Sequence, residues 1–236
     1  MTLREIYDVC VPQNKRQTDR LNPWLYYVIR PISILLTKPF LKSNIAPTTV
    51  TAISIIVTLL GFIFISFATS ISLKVVGWLG FFLWAILDCV DGNIARCKNL
   101  TSKRGELWDA TGGYIALALI FFSAGIIAYY EIGKYVLCNP EWYLIFGGLA
   151  SVLSILPRLV AQKKKAISSH DSVKDVMDKS KFSLIKIIAL NIESAIGIMQ
   201  VVFLLCLLFH MMNVFVIFYF IINLMITIYS LYSLLK

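Results

Sequence analysis

Six apolar runs fill the chain from residue 48 to its end, at 48–70, 73–95, 107–130, 141–162, 184–210 and 213–235. A segment in hydrocarbon has no water to satisfy its amide groups, so it must close hydrogen bonds within itself or within a barrel, and runs of about 20 residues suit the helix. The expected fold is therefore all-α and integral to a membrane, with six transmembrane helices over 48–236 and an N-terminal segment over 1–47. The totals agree: 58% of residues are apolar, only 15% are charged, and the mean hydropathy is +0.79, which excludes an ordinary soluble domain. The opening MTLREIYDVCVPQNKRQTDRLNP is polar and lacks the apolar run of a cleaved signal peptide.

Charge placement orients these spans. Of the 22 Lys and Arg residues, all but Lys74 and Lys134 fall on one side when both termini are placed in the cytoplasm, as the positive-inside rule requires. The net charge of +9 is then a matter of topology, and no nucleic-acid partner is expected. In this orientation the sequon Asn99-Leu100-Thr101 faces the cytoplasm. The stretch NPWLYYVIRPISILLTKPFLK reads as a cytoplasmic interfacial helix in contact with membrane lipid, bent at Pro31 and Pro39. The lysine-rich 163–183 stretch reads as a solvated connection. Cysteines 10, 89, 97, 138 and 206 have no metal-type spacing and read as apolar fillers.

The stretch LDCVDGNIARCKNLTSKRGELWDATGGY breaks the apolar pattern. An ionised aspartate at mid-bilayer costs about 2.5–3.5 kcal/mol, so Asp88, Asp91 and Asp109 need a partner. On a helix, Asp88, Asp91, Gly92 and Ala95 share one face, which Arg96 closes, while Gly105, Asp109 and Gly113 repeat every four residues on the next helix. Two such stripes can hold a divalent cation. Oxygen-only ligands favour Mg²⁺ or Mn²⁺ over zinc. The small residues open room for a phosphorylated ligand near the backbone, and Arg96 with Lys103 or Arg104 can meet its phosphates. By helical rise Asp91 lies about 7 Å and Asp88 about 12 Å below Arg96, just under the cytoplasmic interface.

With its spacing of Asp88, Asp91-Gly92, Ala95-Arg96, eight residues CKNLTSKR, Gly105 and Asp109, the stretch resembles the signature Asp-x2-Asp-Gly-x2-Ala-Arg-x8-Gly-x3-Asp-x3-Asp of the CDP-alcohol phosphotransferases. The six-span layout, the interfacial helix and the AlaProThrThrValThr lead-in at 46–51 are similar to that family as well. The resemblance implies transfer of a substituted phosphate from a CDP-linked donor, CDP-diacylglycerol or a CDP-alcohol, to an alcohol acceptor with release of CMP. The compact layout leans toward the CDP-diacylglycerol branch. Carried over, Asp88, Asp91 and Asp109 are metal ligands, Asp88, Gly92, Ala95, Arg96 and Gly105 contact the donor, and Asp109 joins in catalysis. A homodimer is also implied.

One position departs. The family's last aspartate falls at Gly113, and nothing from Ala110 to Leu117 is acidic. That leaves a relocated base, an altered reaction, or a catalytically silent binding or regulatory homologue. Glu193, about 10 Å inside the fifth run counted from Lys186, is the candidate replacement base, and it reads equally as a buried, hydrogen-bonded or protonated glutamate. Arg158 is a candidate for an acceptor phosphate or an ordinary interfacial anchor. A cation transporter built on the same carboxylates leaves the eight-residue spacing unexplained.

Overall fold

The computed structural model describes residues 1–131, 133, 135–167, 191–192 and 194–235, and every regular element among them is helical. The polar N-terminus holds two short helices, α1 (Leu3–Cys10) and α2 (Gln13–Arg20). A capping box starts α1: Thr2 Oγ1 accepts from the Glu5 amide at 3.3 Å, and Glu5 Oε2 accepts from the Thr2 amide at 3.0 Å. Next comes a π-helical turn, Leu25–Ile29, that runs straight into α3 (Arg30–Lys42). Pro31 accounts for the wide turn, because it has no N–H to give and its ring crowds the carbonyl four residues back; the Arg30 amide reaches Leu25 instead. Pro39 sits within α3 without ending it.

The long helices follow: α4 (Pro47–Phe67), α5 (Ile71–Cys97), α6 (Lys103–Tyr130), α7 (Pro140–Ile167), the shorter α8 (Met199–Leu208), and α9 (Met212–Leu235). Among the described residues, five of them, α4 to α7 and α9, are long and apolar enough to cross a membrane. The ten residues of α8 fall within the expected fifth span, 184–210, whose earlier part lies mostly outside the described residues. Most of the expected 163–183 connection lies outside them too. Two compact units emerge, one of Met1–Ala116 with Ser194–Val201 and one of Leu117–Glu193 with Val202–Lys236.

In the first unit, α1 packs through Ile6 and Cys10 onto a buried cluster with Val11 and Ile34. All five cysteines are free thiols. Burial pushes the Cys10 thiol up to about 12, with Cys97 as the next contributor, so it stays protonated and serves as an apolar filler. The α4–α5 hairpin closes on glycines: a methyl built on Gly80 would stand 2.7 Å from Gly61 Cα. Backbones this close leave no place for a side chain, which is how helices associate in lipid where apolar burial offers little drive. Substituting Gly80→Leu is expected to cost about 2–3 kcal/mol by overpacking, read as a lower melting temperature in detergent; an unchanged melting temperature would contradict this crossing. Trp78 Nε1 donates to the Gln200 carbonyl at 2.9 Å, and Gln200 Nε2 donates to Phe81 at 3.2 Å. These bonds tie the 194–201 segment to α5.

In the second unit a similar crossing recurs, where a methyl on Gly147 would stand 2.6 Å from Gly125 Cα. Thr227 Oγ1 donates to the Leu153 carbonyl at 2.8 Å, and Phe146 stacks on Phe220 at 4.8 Å, which joins α7 to α9.

Candidate active site

The site lies wholly within the first unit. Asp88, Asp91, Gly92, Ala95 and Arg96 of α5 line one cavity of about 850 Å³, as do Gly105, Glu106 and Asp109 of α6. The start of α4 contributes Pro47, Thr48 and Thr51, and the N-terminal segment contributes Lys15, Asp19, Leu25 and Arg30. A volume of this order suits a nucleotide-sized ligand. The i, i+3, i+4 spacing on α5 is what turns both of its carboxylates, the glycine and the arginine to one side.

Asp91 is 4% exposed, and its Oδ2 accepts a hydrogen bond from Thr51 Oγ1 at 2.5 Å. Thr51 therefore offsets part of the cost of burying a carboxylate. Asp88 is half-buried and Asp109 is exposed. Ser102 starts α6 by accepting the Gly105 amide at 3.0 Å on its Oγ. Beyond the cavity-lining part of α6, a methyl built on Gly113 would meet no atom within 4 Å.

A polar relay sets the arginine. Asn93 and Thr37 are both fully buried, and Asn93 Nδ2 donates to Thr37 Oγ1 at 3.1 Å while Thr37 donates to the Ser33 carbonyl at 2.7 Å. Asn93 Oδ1 in turn accepts from Arg96 Nη2 at 2.9 Å. The guanidinium lies over Gly92, where a Cβ would come within 3.3 Å of both terminal nitrogens. Glycine at 92 thus makes room for Arg96. Lys98 Nζ donates to the Ser43 carbonyl at 2.8 Å and fastens the α3–α4 linker to the end of α5.

A second buried pair stands on the wall formed by the N-terminal segment. Arg30 Nε and Nη2 donate to Asp19 Oδ2 at 2.9 and 2.8 Å, with both residues under 5% exposed. Sequence reasoning missed Lys15, Asp19, Arg30, Thr51, Asn93 and Glu106 as site residues. The signal is partial: Arg30 reads as one more interfacial cation, and Thr51 lies in the lead-in to the first span.

Two further expectations concern other parts of the chain. Glu193 lies outside the described residues. Arg158 belongs to the second unit, where its Nε donates to the Ser154 carbonyl at 3.2 Å.

As for a metal, no three His, Cys, Asp or Glu side chains among the described residues are drawn together into a preformed cage. The chemistry of the donor set still fits a hard cation. Asp88, Asp91 and Asp109 line one cavity together with Asp19 and Glu106, and Thr51 Oγ1 donates to Asp91 Oδ2.

A family model for CDP-alcohol phosphatidyltransferases matches residues 44–229. A curated relative, cholinephosphotransferase 1 of Danio rerio, is 31% identical over 110 residues, covering 44% of this chain and 27% of the relative. The chain therefore matches well under two thirds of that protein's length. Apolar helices of membrane-spanning length and the extent of the family match place this integral membrane protein in the CDP-alcohol phosphatidyltransferase family.

Proposed function

We propose that the protein transfers a substituted phosphate from a CDP-linked donor to an alcohol and releases CMP. The observation that carries this reading is the single cavity in which Asp88, Asp91 and Asp109 stand with Gly92, Ala95, Arg96 and Gly105. In the reaction, the acceptor oxygen bonds to the donor's distal phosphorus as the bridging P–O bond breaks. CMP leaves with the bridging oxygen, and the hydroxyl proton passes to a carboxylate.

Asp88, Asp91 and Asp109 would hold the divalent ion, Mg²⁺ or Mn²⁺. Bound there, the ion would neutralise charge on the diphosphate and on the departing CMP. The chain's own residues do the positioning. Arg96, held by Asn93, meets phosphate oxygens; Gly92, Ala95 and Gly105 leave space along the helices for the cytidine end; Thr51 fixes the orientation of the Asp91 carboxylate. Asp109, the exposed one of the three motif aspartates, is the one of them that takes the proton of an incoming alcohol. Glu193 remains the alternative base.

The relative's name supports a small CDP-alcohol as donor, whereas the compact chain leans toward CDP-diacylglycerol. The distribution of Lys and Arg supports a cytoplasm-facing site with both termini on that side. The homodimer implied by the family resemblance is tested by crosslinking in native membranes.

CMP release from the purified protein is the decisive measurement, with CDP-choline, CDP-ethanolamine or CDP-diacylglycerol as donor and diacylglycerol or a small alcohol as acceptor. Activity is expected with Mg²⁺ or Mn²⁺ and is lost in EDTA. No CMP from any pair would leave the second reading, a silent binding homologue, which Gly113 favours. Within the leading reading, Asn93→Ala releases Arg96 Nη2 and is expected to weaken CDP binding about tenfold, the scale of one charge-assisted hydrogen bond; unchanged CDP affinity would remove the relay from the site.

A further inference from the structure

We propose that Cys10 of α1 and Cys97 at the end of α5 are an oxidisable thiol pair, which a peroxide converts to a disulfide that clamps the N-terminal segment to the motif helix. Neither residue is among those that line the cavity, so the pair stands apart from the transferase reading.

The two sulfurs stand 3.0 Å apart, although their residues are 87 positions apart in the chain. Side chains that merely pack keep their heavy atoms about 4 Å apart. A sulfur–sulfur bond of about 2.05 Å is thus reached by a further approach of about 1 Å. The element that has to move is small. Helix α1 has only 8 residues and docks through Ile6 and Cys10 on a cluster with Val11 and Ile34, with Tyr7, Leu41 and Cys97 at its edge. It can settle by that distance while the long helix α5 stays in place. Cys10 Sγ also donates to the Asn93 carbonyl at 3.5 Å, which aims the thiol at the last turns of α5.

The two thiols have different parts in the reaction. Cys97 is half-buried and Cys10 fully buried, so a peroxide meets Cys97 first. Its sulfur attacks one peroxide oxygen, the O–O bond breaks, and a sulfenic acid and one water form. The Cys10 sulfur then attacks the Cys97 sulfur. A sulfur–sulfur bond forms, the S–O bond breaks, and the Cys10 proton leaves with the hydroxide as a second water, so two electrons pass from the thiols to the peroxide. Burial, with Cys97 next, pushes the Cys10 thiol up to about 12. A protonated, buried thiol is inert toward solution and reacts only with a sulfur already in contact. In the reduced protein it remains the apolar filler described above.

The bond would sit where two parts of the cavity wall begin. Helix α2 follows Cys10 and carries the cavity residues Lys15 and Asp19, while Cys97 directly follows Arg96. Oxidation therefore fastens the N-terminal wall to the helix that bears the aspartate motif.

The test exposes the folded full-length protein in detergent to hydrogen peroxide, blocks the remaining thiols and maps the cysteines by mass spectrometry. The expected product links the Cys10 and Cys97 peptides within one chain and is reversed by dithiothreitol. Its melting temperature rises by about 5–10 °C, the scale for closing a long loop, and amide exchange in Leu3–Cys10 slows. Cys97→Ser keeps the size of a half-buried side chain and is expected to show neither the link nor the rise. Cys10→Ala leaves Cys97 without its resolving partner, so dimedone captures the sulfenic acid. Sulfinic acid on Cys97 of the wild type without a link, or no oxidation of Cys97 at all, would overturn the pair. So would a link from Cys97 to another cysteine or another chain, a link that forms only in denaturant, or an equal rise in melting temperature for Cys97→Ser.

Discussion

Restoring an acid one turn beyond Asp109 is expected to raise turnover. In Gly113→Asp, CMP release should increase at least tenfold, toward the 10²–10⁴-fold range that a positioned general base typically contributes. The substitution is unusually permissive, because a Cβ at that position meets no atom within 4 Å and the residue lies in the interior of α6. Helical periodicity places 113 on the same face as Asp109. The gain should appear in kcat rather than KM, since the new carboxylate acts on the proton and not on cytidine. Unchanged kcat in a folded variant would mean that the proton is taken up elsewhere, and Glu193→Gln becomes the informative measurement.

Neutralising the existing acids should have the opposite effect on activity and a separate one on stability. Asp91→Asn and Asp109→Asn are each expected to lower CMP release by about 10³-fold, through loss of a metal oxygen or of the proton acceptor. The amide at 91 keeps the shape of the carboxylate and can still accept from Thr51 Oγ1. With one buried negative charge removed from a group of three, the melting temperature without metal should hold or rise, as is common where an active site stores unfavourable charge. A variant that lost activity and stability together would mark these residues as structural and would count against the site.

Much of the architecture could be read from hydropathy. Expected spans at 48–70, 73–95, 107–130, 141–162 and 213–235 correspond to α4, α5, α6, α7 and α9. The bounds differ by a few residues: α6 begins at Lys103 because Ser102 caps it, four residues before hydropathy rises, and α4 ends at Phe67, short of the run's end at 70. The short helices α1 and α2 escaped notice. The stability of α1 comes from a capping box and from docking of Ile6 and Cys10, which a polar composition conceals.

Within the site, local spacing on α5 and α6 sufficed to bring seven motif residues to one cavity. The remaining wall was hidden by sequence distance. Thr51 meets Asp91 across 40 residues, and Asn93 meets Thr37 across 56. Nothing in either neighbourhood announces the other, and periodicity reports only which residues share a face of one helix.

The glycine crossing of α4 with α5 bears on how such a charged helix enters a membrane at all. Only three residues, 68–70, separate the two, and α4 leaves the ribosome first. When the acidic end of α5 emerges, a docked neighbour already carries the hydroxyl that Asp91 requires. The hairpin can therefore partition as one unit whose polar group is internally solvated, and biogenesis is spared the transfer of a bare carboxylate into lipid.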